Sequence, residues 1–342
     1  MKKITLNFLA LTCGALAFAE TPPLISDKDE FNREISKLFP RDEDNPYRII
    51  MMRGDILFYD GAGEIPLRVT YKSALPFNRS KIAPVMNESG QWGFIDQSGK
   101  EIIPPQYGKV SNFNGNPPVA VVRKGDAYLL INPANEVIKR LDIVKFHATG
   151  IDGNTPVQAA NKLWGVINSK GEYIIAPKYE IMGALSDDGK LLFVSRGKRI
   201  GAINLKEEAV IPFIYTAGKY FTHNLAKVAI GEEKRYGVIN TDNQVIVPLE
   251  YDSIEIIGQL IAATQNEKIT LFDHNGKKLA DKLQKVSQHP GHEAVVVRTS
   301  LERPRFYFFD YNGVLKLVYD HPLEEKNSFS APLDEDNGDL ER

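Results

Sequence analysis

The sequence predicts an all-β repeat protein, a closed β-propeller of about eight small four-stranded blades preceded by one short helix. Three observations predict it. An Asp or Asn recurs at Asp60, Asp96, Asn132, Asn168, Asn204, Asn240, Asp273 and Asp310, the first five intervals being 36 residues and the last two 33 and 37. Each anchor closes a short apolar run and is followed three positions later by Gly or Asn, except at Glu207. That is the chemistry of a type I turn: a side-chain oxygen accepts from the turn's own amides and a left-handed residue completes it. The third observation is that each period has room for two further strands. Four strands of about five residues and four turns of about four account for the repeat length. An open β-superhelix has the same period and stands as the alternative.

Residues 1–19 read as a secretory signal, with Lys2 and Lys3 ahead of an apolar run and Ala17-Phe-Ala19 as a small-x-small cleavage site. The mature chain is expected to begin at Glu20. Cys13, the one cysteine, falls inside the removed segment, so no disulfide or thiolate metal site is expected afterwards. Acylation at Cys13, making a lipoprotein, is the alternative. No later stretch approaches the ~20 apolar residues of a spanning helix.

Residues 20–45 read as a helical cap and linker. Ser26 and Asp29 resemble a helix start, and Phe31, Ile35 and Leu38 follow at helical spacing before Pro40. The helix is expected to cap an exposed end of the repeats, with partner docking as the other role.

Residues 46–322 hold the repeats. Before each turn apolar residues alternate: Trp92, Phe94 and Asp96 point one way, Gly93 and Ile95 the other. After it comes a β-branched run such as Glu101-Ile-Ile-Pro104 or Val245-Ile-Val-Pro248, and proline is expected to end each strand by removing a ladder donor. Glu207 at a left-handed position predicts an altered loop after Asn204. Tyr71, Tyr107, Tyr179, Tyr215 and Tyr251 stand eleven residues beyond their anchors, with His321 at the same offset, and are expected to pack between repeats. The chain enters with Arg48 to Tyr59 and leaves with Val314 to Tyr319, strands expected to complete one shared blade. Residues 323–342 are polar and acidic and are predicted to be a disordered tail.

The run Trp92-Gly-Phe-Ile-Asp-Gln-Ser-Gly-Lys-Glu-Ile-Ile-Pro-Pro-Gln-Tyr107 resembles the WG repeat of bacterial proteins. The resemblance is clearest at Trp92 and Trp164 and looser at Ile200-Gly201 and Tyr236-Gly237. It implies a β-rich scaffold that acts in binding, with no shared catalytic residues to transfer.

The residues supply little chemistry of their own. There is no phosphate loop, nucleophile elbow or cysteine pair, and no cofactor is expected. His289-Pro-Gly-His292-Glu293 has no helical ligand spacing and reads as a polar loop, and the acidic anchors are explained by their turns without calcium. With Lys2 and Lys3 removed, 40 basic residues face 44 acidic ones, too near balance to argue for nucleic acid or a membrane surface. Basic residues do collect five to nine positions before the anchors. The candidate binding face is Arg123, Lys124, Arg196, Lys198, Arg199, Lys234, Arg235, Arg303 and Arg305, with Arg53, Lys162 and Lys268 in matching loops. Asp126, Glu232, Glu233, Glu267 and Glu302 share those loops and oppose the field. In a ring, this belt would lie on one face. The expected function is an exported, periplasmic or secreted envelope scaffold that holds a protein or an anionic glycan or polymer without catalysis. The alternative is a propeller enzyme whose axial site is assembled from several loops.

Overall fold

The computed structural model describes residues 24–26, 30, 48–52, 55–59, 67–288, 294–298, 305–310 and 314–320. They form eight consecutive antiparallel meanders. Sheet 1 has Arg48–Met52, Asp55–Tyr59 and Leu67–Val69; sheet 2 has Ser73–Ala74, Ile82–Met86, Trp92–Asp96 and Glu101–Tyr107. Sheet 3 has Lys109–Val110, Ala120–Lys124, Ala127–Ile131 and Val137–Leu141; sheet 4 has Ile143–Phe146, Thr155–Ala159, Trp164–Ile167 and Tyr173–Tyr179. Sheet 5 has Met182–Leu185, Leu191–Arg196, Arg199–Asn204 and Ala209–Tyr215; sheet 6 has Ala217–Gly218, Leu225–Ile230, Arg235–Asn240 and Val245–Tyr251. Sheet 7 has Ser253–Ile257, Leu260–Gln265, Lys268–Asp273 and Lys278–Leu283; sheet 8 has Lys285–Gln288, Ala294–Arg298, Arg305–Asp310 and Leu315–Asp320. The fold is therefore an all-β, propeller-like repeat of four-stranded sheets. From sheet 2 onward the anchors close the hairpins between third and fourth strands, as the period requires.

The core lies between sheets. Alternation along a strand sends neighbouring side chains to opposite faces, and here both faces are covered. Phe94 and Ile103 of sheet 2 pack with Phe113, Ala120, Val122 and Ile131 of sheet 3. Ile95 goes the other way, joining Val85 and Phe77 against Leu67 of sheet 1. The tyrosines expected between repeats are there: Tyr107, Tyr179, Tyr215 and Tyr251 are buried, each in a cluster shared with the following sheet. No sheet buries its apolar area without its neighbours, which is the energetic logic of a repeat array.

Proline does not end the fourth strands. The strands run on through Pro104 and Pro105, Pro177, Pro212 and Pro248 to the tyrosine. The fourth strand is the sheet edge, where a missing donor breaks no ladder bond. The prolines also sit in a bulge. Between the pairs Trp92–Tyr107 and Phe94–Ile103, the third strand advances two residues while the fourth advances four. The extra chain folds over Gly93, where a Cβ would meet the Ile103 carbonyl oxygen at 2.5 Å and the Pro105 nitrogen at 2.6 Å. Gly165, Gly201 and Gly237 are covered in the same way, by the carbonyl oxygens of Ile175, Ile211 and Val247 at 2.4, 2.6 and 2.6 Å. The glycine after each aromatic or Ile is thus demanded by a backbone crossing, not by alternation alone.

The shared blade expected at the chain ends is not formed by those strands. Sheet 8 has four strands of its own, Arg48–Met52 belongs to sheet 1, and Leu24–Ile25 joins sheet 8 in parallel with Leu24 opposite Val318 and Ile25 opposite Tyr319. The 33-residue step has a local cause. In sheet 7 the first two strands meet through Gly258 and Gln259, Ile257 pairing with Leu260, where other sheets use longer loops. The expected signal segment, the helix around Phe31, Ile35 and Leu38, and residues 323–342 lie outside the described residues, as do His289, His292, Glu293 and His321. Among the described residues no helix is long and apolar enough to cross a membrane.

Candidate functional site

In a meander the turns between second and third strands lie at one end of every sheet, and the anchor turns at the other. At the anchors, the expected cap is present. Asp96 Oδ1 accepts from the amides of Ser98 at 2.9 Å and Lys100 at 3.1 Å, and Asn168 Oδ1 accepts from Lys170 at 2.9 Å and Glu172 at 3.0 Å. Hydrogen bonding, first from the Ser98 hydroxyl, holds the Asp96 carboxyl below its ordinary value. The choice of Asp or Asn has a reason four residues on. Asn132, Asn168, Asn204 and Asn240 donate their amides to Glu136, Glu172, Glu208 and Gln244, whereas Asp96 and Asp273 are followed by Lys100 and Lys277. The anchor oxygens are spent on the turn, and no cluster of three metal-ligating side chains occurs among the described residues.

The loop after Asn204 is not altered. Glu207 takes φ of 66°, its amide donates to the Asn204 carbonyl at 2.9 Å, and the turn matches its neighbours. A contact with the preceding sheet makes this tolerable: the Tyr179 hydroxyl donates to Glu207 Oε2 at 3.0 Å, and Lys178 forms an ion pair with the same carboxylate. Tyr107 donates likewise to Asn135 Oδ1 at 2.6 Å and Tyr215 to Asn243 Oδ1 at 2.7 Å, and both acceptors are left-handed. At Gly171 the residue 28 positions earlier, where the other turns have a tyrosine, is Ile143, and there is no hydroxyl to receive.

The basic residues lie in or beside the turns between second and third strands, but they do not form an even belt. Arg235 is neutralised by Asp252 and Glu233. Lys124 donates to Gln106 Oε1 at 2.9 Å, while Arg123 lies over Gly108. Lys234 is exposed beside Glu232 and Glu233. Arg303 lies outside the described residues, and Arg305 opens the third strand of sheet 8. In sheet 5, by contrast, Arg196, Lys198 and Arg199 share one turn and no carboxylate pairs with any of them among the described residues. Arg199 donates to the Ile214 carbonyl at 3.2 Å, and the Arg196 guanidinium stacks 4.2 Å from the centre of the Phe213 ring.

Beside that turn, at the seam of sheets 4 and 5, is a cleft of about 600 Å³ lined by Lys178, Tyr179, Glu180, Ser195, Arg196, Gly197 and Glu207. Its walls are held: Ser195 Oγ accepts from the Ile181 amide at 3.0 Å. The Lys178 hydrogen bond lowers the Glu207 carboxyl below its usual range and Glu207 raises Lys178 in return, while burial and then Glu207 push the Tyr179 phenol up. At working pH, Glu207 and Lys178 therefore remain charged and committed to each other.

The four covered glycines mark the sequence segments that a family model for the WG containing repeat matches: residues 92–128, 164–198, 200–232 and 236–268. The chain carries WG repeats at these four segments. Among solved structures, a eukaryotic initiation factor is similar at 11% identity over 82% of this chain and 89% of that one, with a TM-score of 0.53. BamB from Moraxella catarrhalis is similar at 10% identity over 81% and 96%, with a TM-score of 0.44. The first likeness concerns the fold alone. A search of curated protein sequences matches nothing.

Within the WG repeats, sequence reasoning found Arg196 but missed Lys178, Tyr179, Glu180 and Glu207. The available signal was the acidic residue at the left-handed position of an anchor turn, 28 residues after a tyrosine.

Proposed function

We propose that this WG-repeat protein is an exported scaffold of the bacterial envelope with no catalysis of its own. Its eight sheets close into a ring, and it holds an anionic partner, a protein or acidic polymer, on the strand-2 to strand-3 turns around sheet 5. The observation that carries the reading is the trio Arg196, Lys198 and Arg199. It is solvent-facing and none of its members forms an ion pair with a carboxylate among the described residues, Arg196 acting on Glu207 only at longer range, while the comparable charge at Arg235 is cancelled. A near-neutral protein with such a sector attracts anions locally without carrying a large net charge. Ring closure is supported by Leu24–Ile25, since residues that precede sheet 1 reach the edge of sheet 8. Export is supported by the character of residues 1–19.

The test is retention on a heparin column. Wild-type protein is expected to elute at elevated salt, R196E/K198E/R199E early, and K234E/R235E close to wild type. Equal elution of all three proteins overturns the reading. N-terminal sequencing of the protein from the periplasm is expected to begin at Glu20.

A further inference from the structure

The geometry points to the cleft at the seam of sheets 4 and 5 as a binding site for an acidic saccharide, a sugar carrying a carboxylate on each one or two rings. The inference rests on the anionic partner proposed above and names its chemistry. Arg196 is the cation available to a ligand there, because Lys178 is occupied by Glu207. The Phe213 ring, 4.2 Å from the guanidinium carbon, positions this cation, and a guanidinium can receive a carboxylate through two parallel hydrogen bonds. Glu180 supplies the complementary half. Its exposed carboxylate pairs with no cation among the described residues, so it is an acceptor for ligand hydroxyls.

The charge balance of the lining makes the choice of ligand. Lys178 and Arg196 face Glu180 and Glu207, a sum of zero. A densely charged polyanion would bring its charge against Glu180, and a neutral sugar would leave Arg196 without its salt bridge. A hydroxylated acid of low charge density, with one carboxylate at Arg196 and hydroxyls at Glu180, satisfies both residues. The volume of about 600 Å³ lies within the range of small-ligand sites, roughly 300–1,000 Å³, and has room for one or two sugar rings. The walls are also set in advance. Tyr179 and Lys178 fix Glu207, Gly197 turns the chain at φ of 57°, and Ser195 is bonded to Ile181. Little ordering is left to be done on binding.

The experiment is calorimetry of the full mature chain with digalacturonate, a neutral galactose disaccharide, inorganic polyphosphate and a free amino acid. Digalacturonate is expected to bind and the other three not. R196K is expected to weaken binding by about tenfold or more, since lysine neither stacks as a plane nor forms the fork, and E180Q by about threefold. K198E/R199E should keep digalacturonate binding while losing heparin retention. Thermal unfolding of each variant confirms folding. Absence of digalacturonate binding, equal binding by R196K, or preference for any of the other three probes overturns the saccharide site. If heparin retention still depends on the sheet 5 turn, that failure leaves the broader reading standing; loss of both fails both.

Discussion

Sheets 2, 4, 5 and 6 differ from the others at one residue of the third strand, and the difference explains the family's glycine. Where that residue is Gly93, Gly165, Gly201 or Gly237, the fourth strand is seven residues long and gains two residues on its partner. Sheet 7 has Thr270, a six-residue strand and one extra residue between the Ile269–Leu283 and Leu271–Ala280 pairs. Sheet 3 has Leu129, a five-residue strand and an uninterrupted ladder from Tyr128–Leu141 to Leu130–Lys139. Leu57 in sheet 1 and Tyr307 in sheet 8 likewise keep a regular ladder. The smaller the side chain, the more chain the neighbouring strand can fold across it. The glycine is therefore a clearance for an edge bulge, and the bulge returns the chain to a buried tyrosine that touches the next repeat.

Six substitutions and one titration sharpen or break that comparison. The largest effect is expected at Gly165, where valine would place atoms against the Ile175 carbonyl at 2.4 Å with only backbone available to yield. G165V should lose about 3 kcal/mol or more in urea unfolding, whereas L129V in sheet 3 should lose about 1 kcal/mol. Equal losses would separate the glycine from the bulge.

Next come the tyrosine ties. Y179F should cost about 1 kcal/mol, and in that background E207G should stabilise relative to E207G made alone, because the left-handed Glu207 has then lost its tyrosine partner. A double-mutant cycle that sums without coupling would dismiss the tie. Alkali tests the set together. Burial pushes the phenols of Tyr107, Tyr179, Tyr215 and Tyr251 up, and burial plus Glu101 pushes Tyr71 up to about 12. The folded values lie above the unfolded value near 10, so this stability is whole below pH ~10 and is lost as pH rises through the folded values toward about 12. Tyrosine absorbance titration against unfolding midpoint should show the two moving together.

The smallest effect is at the anchors. N168D would replace an amide donor to Glu172 with a second carboxylate, costing about 0.5–1 kcal/mol and less at high salt. D96N, beside Lys100, should cost no more than that.

The period, the anchor turns, the four-strand unit and the tyrosines between sheets were legible because each rests on local chemistry repeated at fixed spacing. Pro104, Pro177, Pro212 and Pro248 were misread because a proline that ends a central strand is allowed on an edge, and edge position is a property of the sheet. Glu207 looked like a defect because its compensation, Tyr179 and Lys178, comes from the preceding repeat. The seam cleft was invisible for the same reason: Arg196 stood out in its turn, but Lys178, Tyr179 and Glu180 join it only after two sheets stack.

Leu24–Ile25 leaves the ribosome ahead of every other described strand, yet the ladder partner it finds among the described residues is Leu315–Asp320, the last of those strands. A chain synthesised from its amino end must therefore carry an unmet strand until nearly the whole polypeptide exists. Assembly is finished by a meeting of early and late segments.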